Sequence, residues 1–277
     1  MRKQREIVKI LKTAVVFLVA IAFIMPLLWM VTSSLKQTRE VFSPNWQWLP
    51  EEFQWKNYVM VWTDPDVSML NAFRNTAFIT AVSTVVQLLV ASLAAYAFAK
   101  IRFKGKGIVF GMFLCTMMMP TEVTIVPRFM LFKTLGLYNN HWSVILPHFF
   151  NAGAIFMLRQ FYKGLPDDLM EAAKIDGASH PQIFAQIMLP LTKSALISLA
   201  MLSFISCWNE YMTPLIFLAK KNLYTISQVI RWYMLDDLQR YDLNMAAATS
   251  AIIPVLFLFV FCQRYFVEGI ATSGVKG

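Results

Sequence analysis

Charge is scarce in this chain: Asp, Glu, Lys and Arg make up 15% of its 277 residues, against about 25% in an ordinary soluble domain. That deficit excludes a well-solvated globular surface. Cysteine is nearly absent, and Cys115, Cys207 and Cys262 are too far apart for a C-x-x-C pair and too few for a disulfide framework. Inert, buried thiols are expected. The three histidines, His141, His148 and His180, form no H-E-x-x-H pair and no ligand spacing. No metal ligand, cofactor or catalytic residue is therefore expected in the chain, and His180 reads as a surface contact. A phosphate-binding loop is missing too. The nearest candidate, GIATSGVK at 269–276, misplaces the lysine of G-x-x-x-x-G-K-[ST] and follows no strand.

What the chain has instead is apolar length, since 57% of it is hydrophobic. The apolar residues fall into runs of roughly 20, enough at ~1.5 Å per residue to cross a ~30 Å hydrocarbon core. We place spans near Ala14 to Val31, Ala72 to Ala99, Ile108 to Val126, Ser143 to Tyr162, Ser194 to Leu218 and Ala246 to Phe266. None alternates with period 2, so helices are predicted and barrel strands are not. The fold class is all-α integral membrane with six transmembrane helices. Residues 1–13 form a first cytoplasmic segment, 14–266 the membrane domain with a loop at 163–193, and 267–277 a cytoplasmic tail.

A net charge of +9 raises the question of nucleic acid, but its distribution answers differently. With the N-terminus inside, the excess lies on the inner side, most clearly in the Lys100 to Lys106 turn, against an acid-rich first outer loop at Thr32 to Asn71. Both termini are predicted to be cytoplasmic. On this topology Trp29, Trp46, Trp48, Trp55, Trp62, Trp142, Trp208 and Trp232 fall at the outer boundary, as an aromatic belt does. The first outer loop is expected to carry a short helix within Phe53 to Trp62. The third span is interrupted at Met119, Pro120, Thr121 and Glu122 and again at Pro127, so a kink is predicted, either lining a water path or improving packing.

The inner loop is the most informative segment. From Leu165 to Leu191 it reads LPDDLMEAAKIDGASHPQIFAQIMLPL. Pro166 suits a first helical turn, Asp167 and Asp168 complement the helix dipole, and Gly177 suits a left-handed cap. Ser179 and Pro181 restart a second helix, which Pro190 is expected to close. The pattern E-A-A, three residues, G, nine residues, I-x-L-P is matched by Glu171, Ala172, Ala173, Gly177, Ile187, Leu189 and Pro190. Chance agreement at seven positions is on the order of once in 10⁸ placements at average residue frequencies.

This pattern resembles the signature loop of ABC importer permeases. The stretches MLNAFRNTAFIT, LAAYAFAKIRFKGKG, LFKTLGLYNN, SCWNEYMTPLIFL and SGVKG extend the resemblance to the carbohydrate branch, similar to the maltose-type and multiple-sugar permeases. The resemblance implies a type I importer permease fold and no enzyme activity of the chain's own. It implies that Glu171, Ala172, Ala173, Asp176, Gly177, Ile187, Leu189 and Pro190 belong to a coupling helix and its loop, docked on a separate ATPase subunit. The implied partners are a second, related permease, two ATPases that bind ATP and Mg, and an extracytoplasmic binding protein. The last outer loop, Ala219 to Met245, is then expected to face that binding protein, and Thr272 to Gly277 to extend towards the ATPases. Glu122, Asn209 and Glu210 are candidates for the translocation path or outer gate; a structural role at the interface is the competing reading for Asn209 and Glu210. The expected cargo is a sugar or oligosaccharide, with a glycerol phosphate ester as the alternative. An ion-coupled carrier and a membrane enzyme are the rival classes.

Overall fold

The computed structural model describes the backbone of residues 2–45, 47–235 and 239–274 and the side chains of 6–45, 47–235 and 239–263. Trp46, the side chains of Arg2, Lys3 and Arg5, and those of the tail from Arg264 through Lys276 lie outside these described residues. Every predicted apolar run is helical, and no strand occurs among the described residues. The first, second and sixth runs form single long helices, Arg2–Ser33, Met69–Lys100 and Tyr241–Gly274. Among the described residues, three helices are long and apolar enough to cross a membrane, or up to five if each of two sharply bent pairs counts as one span.

The second helix shows how such a chain sorts its residues. Thr76, Thr80, Ser83, Gln87, Ala91 and Ala95 are buried, whereas Phe78, Val85, Leu89 and Leu93 are exposed. Their three- and four-residue spacing places small and polar groups on the inward face. This reverses the pattern of a soluble helix, because lipid solvates Leu and Phe while the small and polar groups pack against the rest of the chain. The first helix buries none of its apolar stretch.

The remaining runs are broken where helix chemistry fails locally. Lys106–Met117 and Thr121–Thr134 meet at 97°, a far sharper break than a kink. Pro120 has no N–H to continue the helix and takes an extended conformation at its N-cap. The fourth run, expected to be continuous, is split into Trp142–His148 and Ala152–Gly164. There the Asn151 Oδ1 accepts from Ala154 N at 3.0 Å, which starts a new helix. The fifth run breaks likewise between Lys193–Trp208 and Met212–Phe217. The Glu210 Oε1 accepts from Thr213 N at 3.0 Å and satisfies a first-turn donor.

The chain divides into two compact units. One comprises Met1–Leu70 and Gln228–Ile253, and its loops are held by polar contacts. Lys36, 2% exposed, donates to Gln47 O, and Asn57 Nδ2 donates to Ser34 O at 3.0 Å and Lys36 O at 2.9 Å. Arg240 grips Asp242 through Nε and Nη2 at 3.0 and 2.8 Å, and Thr38 Oγ1 donates to Asp242 Oδ1 at 2.7 Å. Tyr233 donates to Asp64 Oδ2 at 3.0 Å; burial first, then the carboxylate, pushes its phenol above the usual range. The short outer helix expected in the first loop is Lys56–Thr63.

The other unit comprises Asn71–Ser227 and Pro254–Gly277. Its main core contains Tyr96 and Phe98 from the second helix, Ile155, Leu158 and Tyr162 from Ala152–Gly164, and Ala195 and Leu199 from Lys193–Trp208. Trp208, assigned above to the aromatic belt, is 5% exposed. Its ring stacks on Phe204 at 5.3 Å and meets Phe73 edge-on at 5.7 Å, so it is packed within the chain. Cys207 is buried as expected, but Cys115 is exposed.

Candidate functional site

Two places in the Asn71–Ser227 unit collect the candidate residues. The first is the inner loop. Its leading helix runs Asp168–Ile175 with Asp167 at the N-cap, so Pro166 precedes the helix and does not occupy its first turn. Asp167 does not cap by its side chain, because Lys100 claims the carboxylate. The Lys100 Nζ donates to Asp167 Oδ1 at 2.5 Å and to Leu165 O at 2.6 Å. That ammonium holds the Asp167 carboxyl below its usual range through hydrogen bond and charge. The lysine side chain is 4% exposed, the aspartate 77%, so the contact ties the loop's entry to the end of the second helix.

The helix ends as expected at Gly177, whose φ is +81°. Gly177 N bonds Lys174 O at 3.0 Å and Ala178 N bonds Ala173 O at 2.9 Å, the paired bonds that close a left-handed cap. A second helix follows at once, with Ser179 N and Oγ both donating to Gln182 Oε1 at 2.8 Å. It ends one residue past Pro190, at Leu191. Helical backbone runs from His180 to Leu191 and turns by 79° at Thr192 into Lys193–Trp208. A π-helical stretch at Phe184–Met188 precedes the proline; a wider turn there leaves room for a residue that lacks an N–H.

Burial sorts the motif into two sets. Met170 and Ala173, at 4% and 9% exposure, and Ile183 and Met188, at 1% each, are part of the main core, and Ile187 packs against it. Asp168, Glu171, Ala172, Asp176 and Gly177 face outward, and Ile175 is 86% exposed. Leu189 and Pro190 border a shallow apolar hollow with Leu88, Leu196 and Ile197. His180 is a contact rather than a ligand: its Nδ1 shares a 2.9 Å hydrogen bond with Tyr96 OH. The loop is thus built into the same core as the helices above it. Spacing could not reveal Met170, Tyr96 or Lys100 as its anchors.

The second place is a cavity of about 710 Å³ where all three helix breaks converge. Met119 and Glu122 come from the third run, His148 and Asn151 from the fourth, and Glu210 and Thr213 from the fifth. Arg128 also lines it, donating through Nη2 to Thr213 Oγ1 at 3.2 Å. Its guanidinium lies 5.4 Å from the Phe217 ring centroid. Glu122 and Glu210 therefore meet at one cavity. Asn209 does not join them: its Nδ2 returns to Ile205 O at 2.9 Å, the structural alternative weighed above. Arg128, His148 and Asn151 were invisible as site residues, since nothing in their spacing links residues 85 positions apart such as Arg128 and Thr213.

Comparison with known proteins follows the same lines. The family described as binding-protein-dependent transport system inner membrane component matches residues 87–272. The chain is 32% identical over 278 residues, covering 100% of itself and 99% of its counterpart, to the arabinooligosaccharides transport system permease protein AraQ of Halalkalibacterium halodurans. It is 33% identical over 91% of its length to the sn-glycerol-3-phosphate transport system permease protein UgpE of Pectobacterium atrosepticum, covering 92% of that protein. In fold it matches a chain from a bacterial ABC transporter involved in the import of the acidic polysaccharide alginate, with a TM-score of 0.82, 24% identity and coverage of 94% and 97% of the two chains.

Proposed function

The chain belongs to the binding-protein-dependent transport system inner membrane component family, and we propose that it is the ABC importer permease subunit through which a sugar or oligosaccharide enters the cell, driven by separate ATPases. It is a multi-pass membrane protein and a transport permease by family. The carbohydrate assignment is supported by relatives such as the arabinooligosaccharide permease, and a glycerol phosphate ester is the alternative that the similarity to UgpE keeps open.

The observation that carries the mechanism is the attachment of the inner loop. A segment that passes force from a cytosolic motor must be stiff at its root and accessible at its tip. Met170 and Ala173 root the Asp168–Ile175 helix in the core, while Glu171, Ala172 and Ile175 stand outward for a partner. Ala172 lacks bulk, so another surface can approach closely, and Glu171 and Asp168 offer charge to basic groups. In this reading two ATPases close on ATP and Mg, push the loop, and rock the helices it is packed against. The first helix leaves its whole apolar stretch for lipid or a second permease, and the outer loops, including the segment around Tyr233, are available to a binding protein. Both termini are cytoplasmic in this arrangement.

Gly177→Asp tests it. A Cβ there meets nothing within 4 Å, but the φ of +81° disfavours any side chain. The variant is expected to insert in the membrane at normal yield and to abolish ATP-driven uptake in vesicles of the complete transporter. Normal uptake by the variant removes the coupling assignment.

A further inference from the structure

The cavity at the helix breaks has an unequal charge lining that bears on what passes it. Two carboxylates, Glu122 and Glu210, face one guanidinium, Arg128, with His148, Asn151 and Thr213 as further polar groups. Arg128 donates through Nη2 to Thr213 Oγ1 and lies over the Phe217 ring, while its buried Nε has no hydrogen-bond partner in the chain's described residues. Glu210 commits Oε1 to Thr213 N and shares the cavity lining with Arg128 and His148. The formally charged side chains of the lining are therefore two carboxylates and one guanidinium.

Carboxylates within a membrane domain are expensive unless they face water or a partner. Hydroxyl groups are suitable partners, since they donate to carboxylates and accept from guanidinium, amide and imidazole N–H. A phosphate or uronate would add a second negative charge beside the excess one, in surroundings that screen charge less than bulk water. A cavity of about 710 Å³ is within the usual size for a small ligand, roughly 300–1,000 Å³.

We propose that this subunit contacts the cargo at this cavity, and that Glu210 and Glu122 make the contact selective for an uncharged polyhydroxylated molecule over an anionic ester or uronate. The inference rests on the importer reading and sharpens it, by disfavouring the glycerol phosphate alternative. Glu210 has two separable duties: any Oε1 acceptor starts the Met212–Phe217 helix, but only a carboxylate sets the charge. Glu210→Gln keeps the first and removes the second.

The experiment uses the complete transporter with its ATPases and binding protein in proteoliposomes, carrying Ser206→Cys, whose position lines the cavity, in a Cys115→Ser, Cys262→Ser background. Modification rates are measured with a cationic trimethylammonium-ethyl and an anionic sulfonato-ethyl methanethiosulfonate. The cation-to-anion rate ratio is expected to fall about threefold on Glu210→Gln, as one nearby charge is lost. Uptake of arabinotriose, lactose, diacetylchitobiose and maltose is measured in parallel. The sugar that is carried should slow Ser206→Cys modification, and Glu210→Gln and Glu122→Gln should each raise its KM about tenfold at a nearly constant maximal rate. An unchanged rate ratio, absence of protection, or an unchanged KM overturns the cavity proposal while leaving the importer intact. ATP-driven uptake of none of the four sugars overturns the carbohydrate reading itself, whatever the rate ratio.

Discussion

The inner loop and the cavity make their functional surfaces in opposite ways. The loop is one contiguous segment, 163–193, whose outward residues stand on a buried root of Met170, Ala173, Ile183 and Met188. The cavity is assembled from residues as far apart as Met119 and Thr213, brought together because three separate helices stop at the same place. A lever has to move as part of the bundle, so its root is apolar and close-packed. A passage has to hold polar groups inside a membrane domain, so it is built from helix ends, where backbone and side-chain polar atoms are already exposed to one another. Damage to packing should therefore uncouple the loop, whereas damage to caps should loosen the cavity.

The largest effect is expected at the root of the lever. Met170→Ala removes most of a side chain that is 4% exposed, a class of change that destabilises by about 2–5 kcal/mol. Cargo moved per ATP hydrolysed should collapse, with the loop newly open to protease. A normal ratio would mean that the helix transmits force without its packed anchor. At the cavity, Asn151→Ala removes the acceptor for Ala154 N and should cost about 1 kcal/mol. A lower melting temperature with an unchanged transport-to-ATP ratio is expected; an uncoupling as severe as that of Met170→Ala would erase the contrast between the two regions.

The smallest effect is expected at Asp167, which is exposed and paired with Lys100. A carboxyl held below its usual range contributes while it is ionised and loses that contribution only as pH falls through its folded value, here below the ordinary carboxylate range. Asp167→Asn should therefore change hydrogen exchange at Leu165 and neighbouring amides by a small, salt-sensitive amount that is flat between about pH 6 and 8. A pronounced pH dependence in that window would assign the contact to a different titrating group.

Much of the molecule could be read in advance, and the reasons are specific. Long apolar runs demand helices because lipid offers no hydrogen bonds, so the helical content and the long first, second and sixth helices followed from hydropathy alone. The loop motif and its Gly177 cap were legible because a turn is chosen by neighbours within a few residues. Where the third, fourth and fifth runs break was only partly legible: Pro120 announced the first break, whereas Asn151 and Glu210 are ordinary residues until a backbone N–H three positions on claims them. Pro190, a conventional stop signal, lies one residue before the end of its helix and follows a π-helical stretch that spacing did not reveal.

The sequence by itself determined that this chain lives in a bilayer, that its fold is helical, and which short loop carries the family's mark, since each depends on solvent preference or on residues adjacent in the chain. Only the tertiary structure decided that Met170 and Ala173 root that loop in the core, that Trp208 serves packing, and that Glu122, Arg128, His148 and Glu210 line one cavity. Those outcomes depend on which helix ends meet in space, and burial and proximity across scores of residues are properties of the packed chain, not of any local pattern.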